Sequence, residues 1–200
     1  MRSLMPSCLL ASCFALTAPL AFAQNTIDQS QTDNLLPMAG LYASGLAQSF
    51  QTAADTITGA GVQLRQTEEA GPLVIALWDA LPTQGGTKLA EGVARGIGST
   101  WVDTFWSPVT AVAGKTYFLV FTSDIPYHVL AGSTDSYQYG MAYANDYTAF
   151  PQYDYTFRTY SAPAPVIGAP VPEPTTAAML LAGLGLLGFA ARRRQQTSAD

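Results

Sequence analysis

Between residues 41 and 161 the apolar and polar positions alternate with a period close to two, and almost nowhere with the 3.6-residue period of an amphipathic helix. Runs rich in β-branched and aromatic residues occupy 48–52, 61–66, 73–79, 88–95, 100–106, 116–122, 127–131, 141–144 and 154–160. Glycine, proline, Asn or Asp stands at the joins, as at Gly71-Pro72, Pro82 with Gly85-Gly86, Gly114 and Pro151. In 73–79, Leu73, Ile75 and Leu77 share one face and Val74, Ala76 and Trp78 the other. In 116–122 both faces are apolar, with Tyr117, Leu119 and Phe121 opposite Phe118 and Val120, which predicts a central strand covered on both sides. Nine short strands with short turns and no helix predict an all-β domain over 41–161, an antiparallel β-sandwich of jelly-roll-like plan. Residues 24–40 are polar and read as a loose leader with at most one edge strand.

The pattern changes at both ends. Residues 1–23 run from Arg2 through a mainly apolar stretch to Ala21-Phe22-Ala23, a secretory signal peptide with an A-x-A cleavage site. Leu10-Ala11-Ser12-Cys13 also has the form of a lipoprotein box, but the apolar run continues past it to the better site. Cys8 and Cys13, the only cysteines, leave with the signal, so the mature domain is expected to hold together through its core rather than a disulfide. At the other end a Pro/Ala linker (162–171) leads into Pro172-Glu173-Pro174. An uncharged run from Thr175 to Ala191 follows, then Arg192, Arg193 and Arg194 and a short tail at 195–200. Two prolines keep the segment around Glu173 extended. A helix over 175–191 would be roughly 25 Å long, the short end of a bilayer span, and the arginines would stop it on the cytoplasmic side. Gly183, Gly185 and Gly188 spell a dinucleotide fingerprint, but no strand precedes them, so that match carries no meaning.

Triplet, apolar helix and arginine cluster, in that order behind a signal peptide, resemble the PEP-CTERM sorting signal of Gram-negative bacteria. The resemblance covers about the last thirty residues. It implies entry through the secretion translocase with signal peptidase, a transient hold in the inner membrane, and processing by an exosortase. It also implies a final place at the cell surface or in the exopolysaccharide-rich biofilm matrix. The stretches LVIALWDA, TWVDTFWSPVTAVAGKTYFLVF and YDYTFRTY are also similar to β-sandwich regions attached to such signals, which resemble carbohydrate-binding modules in shape. That second similarity spans about residues 45–161 and implies a fold rather than an activity.

Charge narrows the partners. Residues 24–172 carry five basic against twelve acidic side chains, a net of −7, which argues against nucleic acid. Seven of the ten tyrosines fall between Tyr137 and Tyr160. Tyr137, Tyr139, Tyr143, Tyr147 and Tyr153, interleaved with Asp135, Asn145, Asp146 and Asp154, have the composition of a sugar-stacking platform, against the plainer alternative of strand-packing tyrosines. Trp101 and Trp106, five apart, are expected on opposite faces of one strand. Asp79, Asp103, Asp124 and Asp135 near strand ends are of the type that joins a structural Ca²⁺, but no loop concentrates them, and no cofactor or metal site is expected. His128 is the sole histidine and no G-x-S-x-G elbow exists. The expected role is therefore non-enzymatic, with a matrix-polysaccharide hydrolase or a self-associating adhesin as alternatives.

Overall fold

A computed structural model describes residues 25–41, 43–65, 67–124, 128–162, 179 and 181–186. The signal peptide with Ala21 and Ala23, nearly all of the linker, Pro172-Glu173-Pro174 and Arg192–Arg194 lie outside the described residues. Residues 23–164 form one compact unit. Of the expected helix over 175–191, Met179 and residues 181–186 are described and are helical. Among the described residues no helix is long and apolar enough to cross a membrane.

Thirteen strands make up the β-domain: β1 (Thr26–Gln31), β2 (Leu36–Gly40), β3 (Leu46–Gln51), β4 (Thr56–Gln63), β5 (Thr67–Trp78), β6 (Lys88–Gly98), β7 (Trp101–Thr110), β8 (Thr116–Thr122), β9 (Val129–Thr134), β10 (Ala142–Ala144), β11 (Thr148–Phe150), β12 (Tyr153–Tyr155) and β13 (Phe157–Ser161). One 3-10 turn, Pro82–Gln84, separates β5 from β6. The strands form a four-stranded sheet (β1-β13-β4-β7), a six-stranded sheet (β11-β10-β3-β8-β5-β6) and a three-stranded sheet (β12-β9-β2), with every pairing antiparallel. The all-β, antiparallel expectation therefore holds. The third, small sheet is linked to the others by the antiparallel bridge between Leu64, just after β4, and Leu130 of β9.

The core lies between the larger two sheets. Leu46 and Phe50 of β3, Leu73, Ile75 and Leu77 of β5, and Leu119 and Phe121 of β8 are all at most 1% exposed and point inward. They meet Ala60 and Val62 of β4 and Phe157 of β13. Phe50 lies 6.3 Å from the Phe157 ring, and Phe121 sits edge-on to Tyr155 at 5.6 Å. The face predicted for Leu73, Ile75 and Leu77 is thus the core face, and β8 is central, flanked by β3 and β5.

Two expectations need correction. Residues 24–40 hold two paired strands, so the domain begins near Thr26 rather than at 41. β2 pairs with β9 and sets Met38 and Ala39 against the core, whereas β1 is secured by polar groups. The Asp28 carboxylate accepts from Thr52 Oγ1 (2.7 Å) and from the backbone N–H of Ala53 (3.0 Å), and Gln31 Nε2 donates to Ser133 Oγ (2.9 Å). The single strand expected over 154–160 is broken at Thr156, where the chain leaves the three-stranded sheet for the four-stranded one.

An aromatic sheet face as candidate functional site

The outward face of the six-stranded sheet carries the most distinctive surface among the described residues. Register places Tyr143, Ala47, Val120, Ala76 and Glu91 in one row across β10, β3, β8, β5 and β6, with Ser49, Phe118, Trp78 and Lys88 in the next. Ala47, Val120 and Leu81, the last from the turn after β5, are buried beneath the half-exposed rings of Trp78, Phe118, Tyr143 and Tyr147. Phe118 meets Tyr143 edge-on at 5.8 Å. From β10 to β5 the rings cross three strand spacings, roughly 14 Å, perpendicular to the strands. Half-exposed aromatic rings on a sheet surface can stack against the C–H faces of sugar rings.

Tyr147 reaches this face by an unusual route. Residues Asn145, Asp146 and Tyr147, the tip of the β10–β11 hairpin, have φ of 52°, 58° and 64°. Asn and Asp tolerate this left-handed region, but a bulky tyrosine there is strained. The tip is clamped from outside: Ser44 Oγ donates to Asp146 Oδ1 (2.5 Å), Asp146 N to Ser44 O (3.1 Å) and Tyr147 N to Gly45 O (3.2 Å). Gly45 permits this approach, since a Cβ there would lie 2.4 Å from Tyr147 N. Burial, and then the neighbouring Asp146 carboxylate, push the Tyr147 hydroxyl pKa up.

The five tyrosines expected to form one platform are dispersed. Tyr143 and Tyr147 lie on the aromatic face. Tyr137 is a core residue: its ring packs on Phe157 (5.1 Å), and its hydroxyl donates to Gln29 Oε1 (3.0 Å) with a pKa pushed up to about 12, chiefly by burial. It therefore offers no stacking face. Tyr139 is exposed and stands edge-on to Tyr137. Tyr153 lines a separate apolar cleft of about 190 Å³ with Met38, Phe150 and Tyr155. Sequence reasoning did not place Trp78 and Phe118 at the site. The signal lay in the doubly apolar pattern of 116–122 and in Trp78 standing on the outward side of its strand.

Other polar and aromatic contacts lie away from this face. Trp106 faces the core side and donates from Nε1 to Ile57 O (3.1 Å), whereas Trp101 lies outward beneath the Arg158 guanidinium at 4.3 Å. Arg158 grips both carboxylate oxygens of Asp103, Tyr160 donates its hydroxyl to Asp103 Oδ1 (2.9 Å), and these groups satisfy one another. The Asp103 bond raises the Arg158 pKa, and burial followed by Asp103 pushes Tyr160 up to about 12. Asp154 is fully buried and accepts from Gln48 Nε2 (2.8 Å) and from the backbone N–H of Ser136 (3.1 Å) and Tyr137 (2.9 Å). His128 is fully buried beside Ser123, with Nδ1 3.2 Å from the hydroxyl. Among the described residues no three His, Cys, Asp or Glu side chains converge as a metal site.

No curated protein matches the chain. Residues 170–194 match the family model of the PEP-CTERM protein-sorting motif. The match takes in Pro172-Glu173-Pro174, the apolar run and all three arginines, so this chain carries a PEP-CTERM sorting motif behind its β-domain.

Proposed function

We propose that the protein is an exported, non-enzymatic component of the cell surface or extracellular matrix, in which the tail is an address and the β-domain is the cargo. The motif match over 170–194 supports this reading. In this account the signal peptide directs export, residues 175–191 hold the chain transiently in the inner membrane, and an exosortase acts at Pro172-Glu173-Pro174. The catalytic chemistry belongs to that enzyme, and this chain is its substrate. Comparing the native host with a strain lacking its exosortase tests it. Loss of the surface-exposed pool and accumulation of a heavier membrane-bound form are expected. An unchanged mass and location in the mutant strain would refute the sorting role.

The displayed domain binds exopolysaccharide across Trp78, Phe118, Tyr143 and Tyr147. The row of half-exposed rings, with one ring held by a strained turn, supports this reading; backbone strain of this kind collects at binding sites. Tryptophan fluorescence should respond to the host's own exopolysaccharide, and Trp78→Ala should weaken binding about tenfold, the equivalent of one lost stacking contact. A wild-type protein that shows no response to that polymer rules out the glycan role.

A further inference from the structure

We propose that two copies of this chain pair edge to edge along β6, antiparallel and with Val93 opposite its own copy, so that their six-stranded sheets join into one. Among the described residues β6 pairs on one side only, with β5, and its other edge has no strand partner. The remaining sheet edges are blunted in ways that discourage such pairing. β11 and β12 have three residues each, β1 is irregular between Ile27 and Ser30, and β2 and β7 carry Pro37 and Pro108. β6 is 11 residues long, has no proline and keeps a regular register with β5 from Ala90 to Gly96. It is also a firmly held template, because Gly92 and Gly96 press on β7: a Cβ at Gly92 would lie 2.0 Å from Thr104 Oγ1, and one at Gly96 2.3 Å from Val102 Cγ1. Its outward face presents Glu91, Val93 and Arg95, all exposed, Val93 by 58%. With Val93 on a two-fold axis, Glu91 falls opposite the partner's Arg95, and Arg95 opposite the partner's Glu91. On the inner face Ala90 meets the partner's Gly96 and Gly92 the partner's Ala94, so nothing bulky crowds the seam. Only this register pairs both charges. Centring on Glu91 or Arg95 sets like charges together, and centring on Gly92 or Ala94 sets each charge against an apolar side chain. Arg95 makes no ion pair within the described residues of one copy, so its guanidinium is available for the seam.

The test follows the chain recovered from its native host, wild type and variants alike, by sedimentation velocity over rising protein concentration. The wild type should convert from monomer to dimer. Glu91→Arg and Arg95→Glu each turn two attractive crossings of the seam into two repulsive ones, and each should weaken the dimer at least about tenfold. Both side chains are exposed, so both variants should fold. Mixing the two single variants restores opposite charges at both crossings, so a heterodimer should form that neither variant gives alone. The chain carrying both substitutions should self-associate as the wild type does. Association through any other surface would survive the single substitutions unchanged. A wild-type chain that stays monomeric, single variants that dimerise as tightly as wild type, or a mixture that stays monomeric overturns the proposal.

Discussion

The left-handed turn at Asn145–Tyr147 makes a prediction in which stability and the ordinary ranking of residues part company. Tyr147 has φ of 64°, a conformation costing a non-glycine residue roughly 1–2 kcal/mol. Its half-buried ring recovers about 1 kcal/mol, part of what full burial of an aromatic side chain yields. Tyr147→Ala removes the ring and keeps the strain, so it should destabilise the domain by about 1 kcal/mol. Tyr147→Gly removes the ring and also the strain. Against this stands the larger conformational freedom of glycine in the unfolded chain, about 0.5–1 kcal/mol. The glycine variant should therefore match wild type within about 1 kcal/mol and exceed the alanine variant by several tenths to 1 kcal/mol. In a regular strand or helix the order would be reversed. Equilibrium urea unfolding followed by tryptophan fluorescence reads the difference as a midpoint shift of up to about 0.5 M. Both variants lose the ring and should bind the polymer equally poorly. An alanine variant as stable as the glycine variant, or more so, would refute the claim that the turn is strained.

Two further substitutions probe the scaffold. Asp154→Asn keeps one acceptor for the Ser136 and Tyr137 N–H groups but sets an amide NH₂ against Gln48 Nε2, so thermal unfolding should report a loss of about 2 kcal/mol. Burial raises the Asp154 pKa, so its contribution to stability is present below the unfolded-state value and is lost as pH rises through the folded one. The gap between wild type and Asp154→Asn should narrow with rising pH across that window, and a gap that widens would contradict the assignment. Gly61→Ala would bring a methyl carbon to 2.0 Å from Asp103 Oδ1, forcing the carboxylate off Arg158 and Tyr160. Denaturant unfolding should show a loss of about 2 kcal/mol, which Asp103→Ala in the same chain should partly relieve, and strict additivity would refute the steric coupling.

Much of the β-domain could be read from the sequence because its core strands state both period and depth. Leu73, Ile75 and Leu77 point inward as alternation requires, and 116–122 is the central strand that its two apolar faces demand. The missed strand β1 is held by Asp28, Gln31 and backbone pairing, contacts that leave no apolar rhythm, and β2 sets the sequence neighbours Met38 and Ala39 against the core, which shows no alternation. The site was legible only in part. Composition pointed to tyrosines, but whether a ring faces core, solvent or neighbour depends on which strands become partners. Tyr137 and Tyr143 lie six residues apart, and one is core while the other is on the outer face. Tyr147 depends on a backbone conformation that no propensity favours, imposed by Ser44 and Gly45 about a hundred residues earlier. The sorting motif was the most legible feature because it is linear: its meaning lies in the order of its parts and needs no tertiary partner.

The most direct test of the address-and-cargo account is the intact mass and C-terminal peptide of the protein recovered from the outer surface of its native host. The account predicts a chain ending near Pro172-Glu173-Pro174, without Arg192–Arg194. A surface protein that still ends at Asp200 would contradict it.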